Sequence, residues 1–268
     1  MAECIRGTFR SSTGETLDKR LWLPEGAPKG IVQFVHGMAE HIDRYDAPAQ
    51  ALCQGGYLVV GHTHLGHGPK APVQGYFAQE NGWDRLLDDI QLLRQETEQA
   101  YPGVPYFLLG HSMGSFLVRC YLTEHGEGLR GAVLSGTGWF GTGPVKAGLA
   151  LTSLLCALGQ EKKPAALVNK LAFGSSNKAF APSRTDYDWL SRDAAQVDKY
   201  VADPHCGFLF TAAGYRDMFR GLDRLRHLDE LKKMPKRLPV YFFGGDQDPV
   251  GGMGTGVPKV AEQFRQAG

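Results

Sequence analysis

Short apolar runs alternate with longer amphipathic segments through the first half of the chain. The runs have the length of buried strands, and the segments between them repeat apolar residues at the helical period. The clearest helix spans residues 83–100, where Leu86, Leu87, Ile90 and Leu93 share one face. The predicted strands are residues 7–9, 17–23, 31–35, 57–60, 106–109 and 129–135. Strands that alternate with helices on short loops predict an α/β fold, a mostly parallel sheet with helices on both faces.

This alternation stops after Ser135. Residues 136–226 show no strand pattern, and the pattern returns at residues 238–243. Apolar, helix-like segments take its place, at residues 145–158, 165–172 and 209–219. We therefore predict a core of residues 1–135 and 227–268 and a helical cap (lid) of residues 136–226. The cap is expected over the C-terminal edge of the sheet, where ligands of open α/β sheets bind; the alternative is additional helical core.

A Gly-x-Ser-x-Gly motif joins the strand at 106–109 to the helical pattern of residues 115–122. A serine on a strained strand-to-helix turn has its hydroxyl lifted clear of the sheet, at the positive end of the following helix. Gly110 and Gly114 leave room for that turn because neither carries a Cβ. We predict that Ser112 is a nucleophile; the alternative is a tight turn that happens to contain a serine.

Composition narrows the classes of function. The 268 residues carry a formal net charge of +1, and lysine and arginine form no runs, which argues against a nucleic-acid partner. No apolar run is long enough to span a bilayer, so we expect no transmembrane segment. The first residues lack the apolar core of a signal peptide, and the five scattered cysteines favour reduced thiols, so we expect a cytoplasmic protein. The oligomeric state is not predicted.

Four motifs occur in a characteristic order. They are His36-Gly37-Met38-Ala39-Glu40-His41 with Arg44-Tyr45, Gly66-His67-Gly68, the Gly-x-Ser-x-Gly motif, and Gly245-Asp246-Gln247-Asp248-Pro249-Val250. Together they resemble the monoacylglycerol lipase and lysophospholipase branch of the α/β-hydrolases, which is also described as serine aminopeptidase-like. The resemblance covers the chain from about residue 31 to its end. It implies an α/β-hydrolase that cleaves carboxylic esters without a cofactor, on a single-acyl lipid such as a monoacylglycerol or lysophospholipid, or on a small ester.

The resemblance also implies roles for individual residues. Acyl transfer through serine needs a base, a group that orients the base, and donors for the oxyanion. In this fold one donor is the backbone N–H after the nucleophile, here Met113, and the other comes from the loop after the strand at 31–35. The family's loop pattern selects Met38 for the second donor. It also places Glu40 and Arg44 near the head group of the substrate; the alternative is an ion pair that stabilises the loop.

The sequence offers candidates for the acid but leaves the base unassigned. Asp246 and Asp248 both come after the strand at 238–243, and the family's Gly-x-x-Asp-x-Val pattern selects Asp248. The base should follow the acid along the chain, yet all nine histidines precede Asp248. We expect the base on a segment beyond Gly268, together with one more strand and helix. The alternatives are a relocated base, with His205 or His41 as candidates, or a non-catalytic relative that binds a ligand in the same pocket.

Two further classes stay open. His62, His64 and His67 form an H-x-H-x-x-H pattern that could belong to a zinc hydrolase, but Gly66 stands where binuclear zinc hydrolases have an aspartate. We therefore expect no metal, and we interpret His111 as a packing and hydrogen-bonding residue beside the nucleophile. An acyltransferase with the same nucleophile differs only in the acceptor.

Overall fold

A seven-stranded sheet forms the centre of the computed structural model, which describes residues 2–268. Its strands are β1 (Glu3–Arg10), β2 (Thr16–Leu23), β3 (Gly30–Val35), β4 (Tyr57–His62), β5 (Tyr106–His111), β6 (Gly131–Ser135) and β7 (Val240–Phe243). Their order across the sheet is β1-β2-β4-β3-β5-β6-β7. β2 pairs antiparallel with both β1 and β4, and every later neighbour is parallel. The predicted mostly parallel sheet is confirmed.

Helices cover both faces of this sheet. They are α1 (Asp46–Gln54), α2 (Gly82–Ala100), α3 (Met113–His125), α4 (Thr142–Ala157), α5 (Ala166–Phe173), α6 (Ala194–Ala202), α7 (Ala212–Arg224), α8 (Leu228–Leu231) and α9 (Gly256–Ala267). The apolar face predicted for α2 lies in the larger core cluster, with Leu86 and Ile90 fully buried. A smaller cluster on Trp22, Phe34 and Ile42 lies beneath α1. Two separate apolar clusters are what a sheet covered on both sides produces.

Strand β3 leads into the loop of residues 36–41 and is buried along its whole length. Its one polar side chain, Gln33, is satisfied inside the core. The Gln33 amide donates to the carbonyl of Ile90 (3.0 Å) and its oxygen accepts from the Tyr106 hydroxyl (2.6 Å). A buried amide costs little when its groups are paired in this way, so the strand can lie in the middle of the sheet.

The region between β6 and β7 contains helices, and its only bridge pair among residues 2–268 joins Pro164 to Thr211. The prediction of a helix at 209–219 is wrong at both ends. The helix begins later, at Ala212, because the Thr211 hydroxyl accepts the N–H of Gly214 (3.1 Å) and caps its start, and it continues to Arg224. The sequence pattern missed α6, which is short and has only Val197 and Tyr200 buried.

Helix α7 connects this region to the rest of the molecule. A Cβ on Gly221 would lie 2.2 Å from the Trp83 ring of α2, so the two helices approach closely. Arg224 near the end of α7 pairs with Asp84 (2.8 Å) and with Glu124. The division into a core and a cap of residues 136–226 stays a prediction, and α7 packs against both α4 of the predicted cap and α2 of the core.

Strand β7 forms one edge of the sheet, and Tyr241 on it is 66% exposed. All five cysteines are free. Within residues 2–268, none of the helices combines the length and the apolar character that crossing a membrane would need.

Candidate active site

Ser112 occupies the sharp turn between β5 and α3, with φ 50° and ψ −120°. A Cβ on Gly110 would lie 2.4 Å from the carbonyl oxygen of Gly114, and a Cβ on Gly114 would lie 2.0 Å from that of Val35. Only glycine fits at either position. The Ser112 N–H donates to the carbonyl of Ser135 on β6 (2.9 Å), which fixes the turn against the sheet. The structure therefore contains the strained strand-to-helix turn that the motif predicts.

The loop after β3, residues 36–41, lies directly against this turn. A Cβ on Gly37 would lie 3.2 Å from the Cβ of Ser112. The Gly37 N–H donates to Glu40 Oε1 (2.6 Å), and the Ala39 N–H donates to His67 Nε2 (3.3 Å). Between them, the Met38 N–H has no acceptor within residues 2–268.

Met113 supplies a second backbone donor of this kind. It is the first residue of α3, and its N–H has no acceptor in the described part of the chain. The first N–H groups of a helix lack intrahelical partners and carry the positive end of the helix dipole. Met38 and Met113 thus present unpaired N–H groups on the two segments that meet at Ser112, as an oxyanion hole requires.

Glu40 stabilises this loop through hydrogen bonds. Its buried carboxylate accepts hydrogen bonds from the Gly37 N–H and the Tyr45 hydroxyl (2.8 Å), and it pairs with Arg44. Burial, followed by the Glu40 charge, raises the pKa of Tyr45 well above its ordinary value, so this hydroxyl remains a donor. The ion pair named as the alternative for Glu40 and Arg44 is present; their head-group role stays a prediction.

Ala39 connects this loop to the segment between β6 and β7. It adopts φ 52°, an unfavourable conformation for a residue with a Cβ. Its carbonyl accepts both the hydroxyl of Tyr200 (3.0 Å) and the N–H of Gly207 (3.0 Å), which lie between β6 and β7. Together with the bond to His67, these contacts hold the strained residue in place. Sequence reasoning missed Tyr200 and Gly207, since no local pattern links residues about 160 positions apart.

Asp248 lies just after β7 and beside the end of β6. Its Oδ1 accepts the N–H of Val250 (2.8 Å), and its Oδ2 has no partner within residues 2–268. Gly136 lies between Asp248 and His111, the residue before Ser112. A Cβ on Gly136 would be 3.5 Å from Asp248 Oδ2 and 3.3 Å from the His111 ring. Asp246 is exposed, and its side chain makes no hydrogen bond in the same residues. The geometry supports Asp248 over Asp246.

No imidazole of residues 2–268 forms a hydrogen bond with Ser112 or Asp248. His111 contacts the Ser135 hydroxyl through Nδ1 (3.1 Å), as a packing residue of the turn would, and His41 contacts Asp203 (2.8 Å). The two relocated-base candidates, His41 and His205, therefore receive no support from these contacts.

Four histidines lie buried between the loop after β3 and the turn after β4. Burial lowers the pKa of His62 to about 3 and that of His67 to about 4. For His36 and His64, burial and the neighbouring imidazoles lower the pKa well below its ordinary value. All four are therefore neutral near pH 7.

The zinc alternative does not fit this cluster. His67 uses both ring nitrogens, since Nδ1 donates to the Leu65 carbonyl (2.9 Å) and Nε2 accepts from Ala39. His62 Nε2 and His64 Nδ1 contact each other (3.3 Å). His62, His64 and His67 accordingly act as packing and loop-supporting residues.

Comparison with known proteins places these features in a family. The family described as "Serine aminopeptidase, S33" matches residues 26–265. Monoglyceride lipase of Rattus norvegicus is 30% identical over 240 residues, which are 87% of this chain and 69% of the relative. Monoacylglycerol lipase of Mycolicibacterium smegmatis is 30% identical over 266 residues, 96% of this chain and 84% of the relative.

Similar solved structures support the same family. A thermostable carboxyl esterase from Bacillus coagulans, in complex with glycerol, superposes with a TM-score of 0.92 at 29% identity, over 100% of this chain and 87% of the other. Monoglyceride lipase from Saccharomyces cerevisiae shares the fold, with a TM-score of 0.72 at 19% identity over 100% and 82% of the two chains. The chain therefore belongs to the serine aminopeptidase S33 family, in the monoacylglycerol lipase branch of the α/β-hydrolases, and is a carboxylic ester hydrolase.

Proposed function

We propose that the enzyme hydrolyses esters of single-acyl lipids, monoacylglycerols or lysophospholipids, through an acyl intermediate on Ser112. One observation carries the proposal. Ser112 is held in a strained turn at which two segments with unpaired backbone N–H groups meet. That arrangement suits a reaction in which negative charge develops on a carbonyl oxygen next to the nucleophile.

The steps follow from these groups. Ser112 Oγ attacks the ester carbonyl while a general base takes its proton, and the Met38 and Met113 N–H groups stabilise the oxyanion. The intermediate collapses, the alcohol leaves with the proton, and water then releases the acid from the serine. Asp248 is proposed to orient the general base.

The lipid substrate is proposed from the similarity to monoglyceride and monoacylglycerol lipases. Residues 136–226 are proposed as the cap that surrounds the acyl chain, and the bonds from Tyr200 and Gly207 to the catalytic loop support their position there. Arg44, whose side chain is 30% exposed, is the member of the ion pair that can still contact a head group. The cytoplasmic location stays a prediction.

A substrate panel tests this proposal. We expect the full-length protein to release fatty acid from a monoacylglycerol and a lysophospholipid, and to cleave nitrophenyl esters of graded chain length. Ser112→Ala should lose all of these activities while Ser153→Ala, an exposed serine on α4, keeps them. Activity on short nitrophenyl esters alone would contradict the lipid substrate. Absence of any turnover would favour the ligand-binding alternative, and transfer to an added alcohol in preference to water would favour an acyltransferase.

A further inference from the structure

A second group of reactive side chains lies beside the catalytic loop. His41 Nε2 is 2.8 Å from Asp203 Oδ2, and the ligand atoms of His41, Asp203 and Cys206 all lie within 4.8 Å of one another. Within residues 2–268 no other group of three histidine, cysteine or acidic side chains converges in this way. His41 ends the loop after β3, and the other two follow α6, so the group joins two segments that are far apart in the chain.

One ligand atom of this group has no competing partner. The Cys206 thiol is free and makes no hydrogen bond in the described residues. Asp203 is already oriented, because its Oδ1 accepts the N–H of His205 (2.8 Å). Thiolate, imidazole and carboxylate are the ligands that Zn²⁺ takes in proteins.

We propose that His41, Asp203 and Cys206 bind one Zn²⁺ ion, with the fourth coordination position open to solvent. Zinc–ligand distances place neighbouring donor atoms of a tetrahedral site roughly 3.4 Å apart. The His41 and Asp203 side chains must therefore separate by roughly half an ångström to admit the ion. The side chains of His41 and Asp203 are 12% and 28% exposed, which leaves the ion a path from solvent.

Binding changes the protonation of two ligands. The Cys206 S–H bond breaks, its proton goes to solvent, and the sulfur lone pair forms the bond to zinc. His41 now donates Nε2–H to Asp203, so its ring proton moves to Nδ1 to free Nε2 for the ion. Arg44, the cation whose charge acts on Cys206, is paired with Glu40, which reduces its repulsion of the ion. This site takes no part in the proposed ester hydrolysis, and its occupant would join the catalytic loop to the segment after α6.

Metal titration of the full-length protein tests the proposal. After treatment with a chelator, we expect Co²⁺ to bind with one-to-one stoichiometry, giving the thiolate-to-cobalt charge-transfer band and the visible bands of a tetrahedral ion. Zn²⁺ should displace it and compete with a chromogenic chelator at the same stoichiometry. Cys206→Ser should lose the charge-transfer band, and Asp203→Asn should lose stoichiometric Zn²⁺ binding.

Cys156→Ser serves as the matched control, because it removes a comparably half-buried thiol on α4. It should bind both ions as the unmodified protein does, and circular dichroism should show all three variants folded. Absence of stoichiometric binding by the unmodified protein would overturn the proposal. So would a charge-transfer band that persists in Cys206→Ser or is lost in Cys156→Ser.

Discussion

The backbone of Gly114 lies against the carbonyl oxygen of Val35, so closely that a Cβ at position 114 would be 2.0 Å from that oxygen. Val35 ends β3 and Gly114 is the second residue of α3. This approach brings the loop after β3 against the turn at Ser112. The position of Met38 relative to Ser112 therefore depends on the absence of a side chain at position 114.

Gly114→Ala should accordingly damage both the fold and the activity. Backbone atoms cannot yield as a flexible side chain can, so we expect a loss of about 3 kcal/mol in the free energy of unfolding. Denaturant titration measures that loss, and ester hydrolysis should fall with it. Gly143→Ala in α4, where a Cβ meets nothing within 4 Å, is the control and should change stability by less than about 1 kcal/mol. Equal behaviour of the two variants would contradict the packing argument.

Tyr200→Phe should weaken catalysis through the loop. It removes the hydroxyl that bonds the Ala39 carbonyl and leaves the ring in place. A hydrogen bond is worth about 1 kcal/mol, so we expect kcat to fall about fivefold, with KM nearly unchanged. Tyr215→Phe, which removes a hydroxyl bonded to Asn169 (2.7 Å), should leave kcat unaltered. A change in KM alone for Tyr200→Phe would indicate substrate contact instead of loop support.

The buried histidines should make the protein sensitive to acid. His62 has a pKa of about 3 in the folded state, lowered by burial, against about 6.5 in an unfolded chain. The unfolded state therefore binds a proton that the folded state does not, so stability is present above about pH 6.5 and is lost as the pH falls towards 3. His62 alone should lower the free energy of unfolding by about 2 kcal/mol between pH 7 and pH 5.

His62→Phe should remove that part of the pH dependence, which denaturant titrations at several pH values measure. His227→Gln, a change at a histidine whose side chain is 58% exposed, should leave the slope of stability against pH unchanged. An unchanged slope in His62→Phe would show that burial does not lower the pKa of this imidazole.

Asp89 should have the opposite pH dependence. Burial raises the pKa of this carboxyl to about 6, against about 4 in an unfolded chain. The folded state binds the proton more tightly, so its stability is greatest below pH 4 and is lost as the pH rises through 6. Oδ1 accepts the Ser12 N–H (2.6 Å), while the buried Oδ2 has no partner within residues 2–268.

Asp89→Asn keeps the acceptor and removes the charge. It should therefore be more stable than the unmodified protein at pH 8 by about 2 kcal/mol and equally stable at pH 4. Asp88→Asn, at the exposed neighbour that pairs with Arg85 (3.1 Å), is the control and should change little. A stability loss at pH 8 for Asp89→Asn would mean that the carboxylate charge is stabilising.

The parts of this structure that depend on residues close together in the sequence could be predicted. The turn at Ser112 follows from two glycines between a strand and a helix, and the buried face of α2 follows from its apolar period. Contacts between distant segments could not be predicted. The bond from Tyr200 to Ala39 spans 161 positions, and it is one of three contacts that hold Ala39 in its left-handed conformation.

The role of Glu40 could not be predicted from the sequence for a different reason. The loop motif suggested both a head-group contact and an ion pair, and residue types alone cannot choose between them. In the folded structure both carboxylate oxygens are paired, one with the Gly37 N–H and the Tyr45 hydroxyl and the other with Arg44. Helix α6 was missed for a related reason, because its two buried residues acquire their partners from elsewhere in the chain.

The most direct test of the central claim is to identify the residue that attacks the substrate. The full-length protein is treated with a fluorophosphonate probe, digested, and sequenced by mass spectrometry. We predict a single adduct on Ser112, absent from folded Ser112→Ala and retained in Ser153→Ala. An adduct on any other serine, or no adduct on the folded protein, would contradict the assignment of Ser112 as the nucleophile.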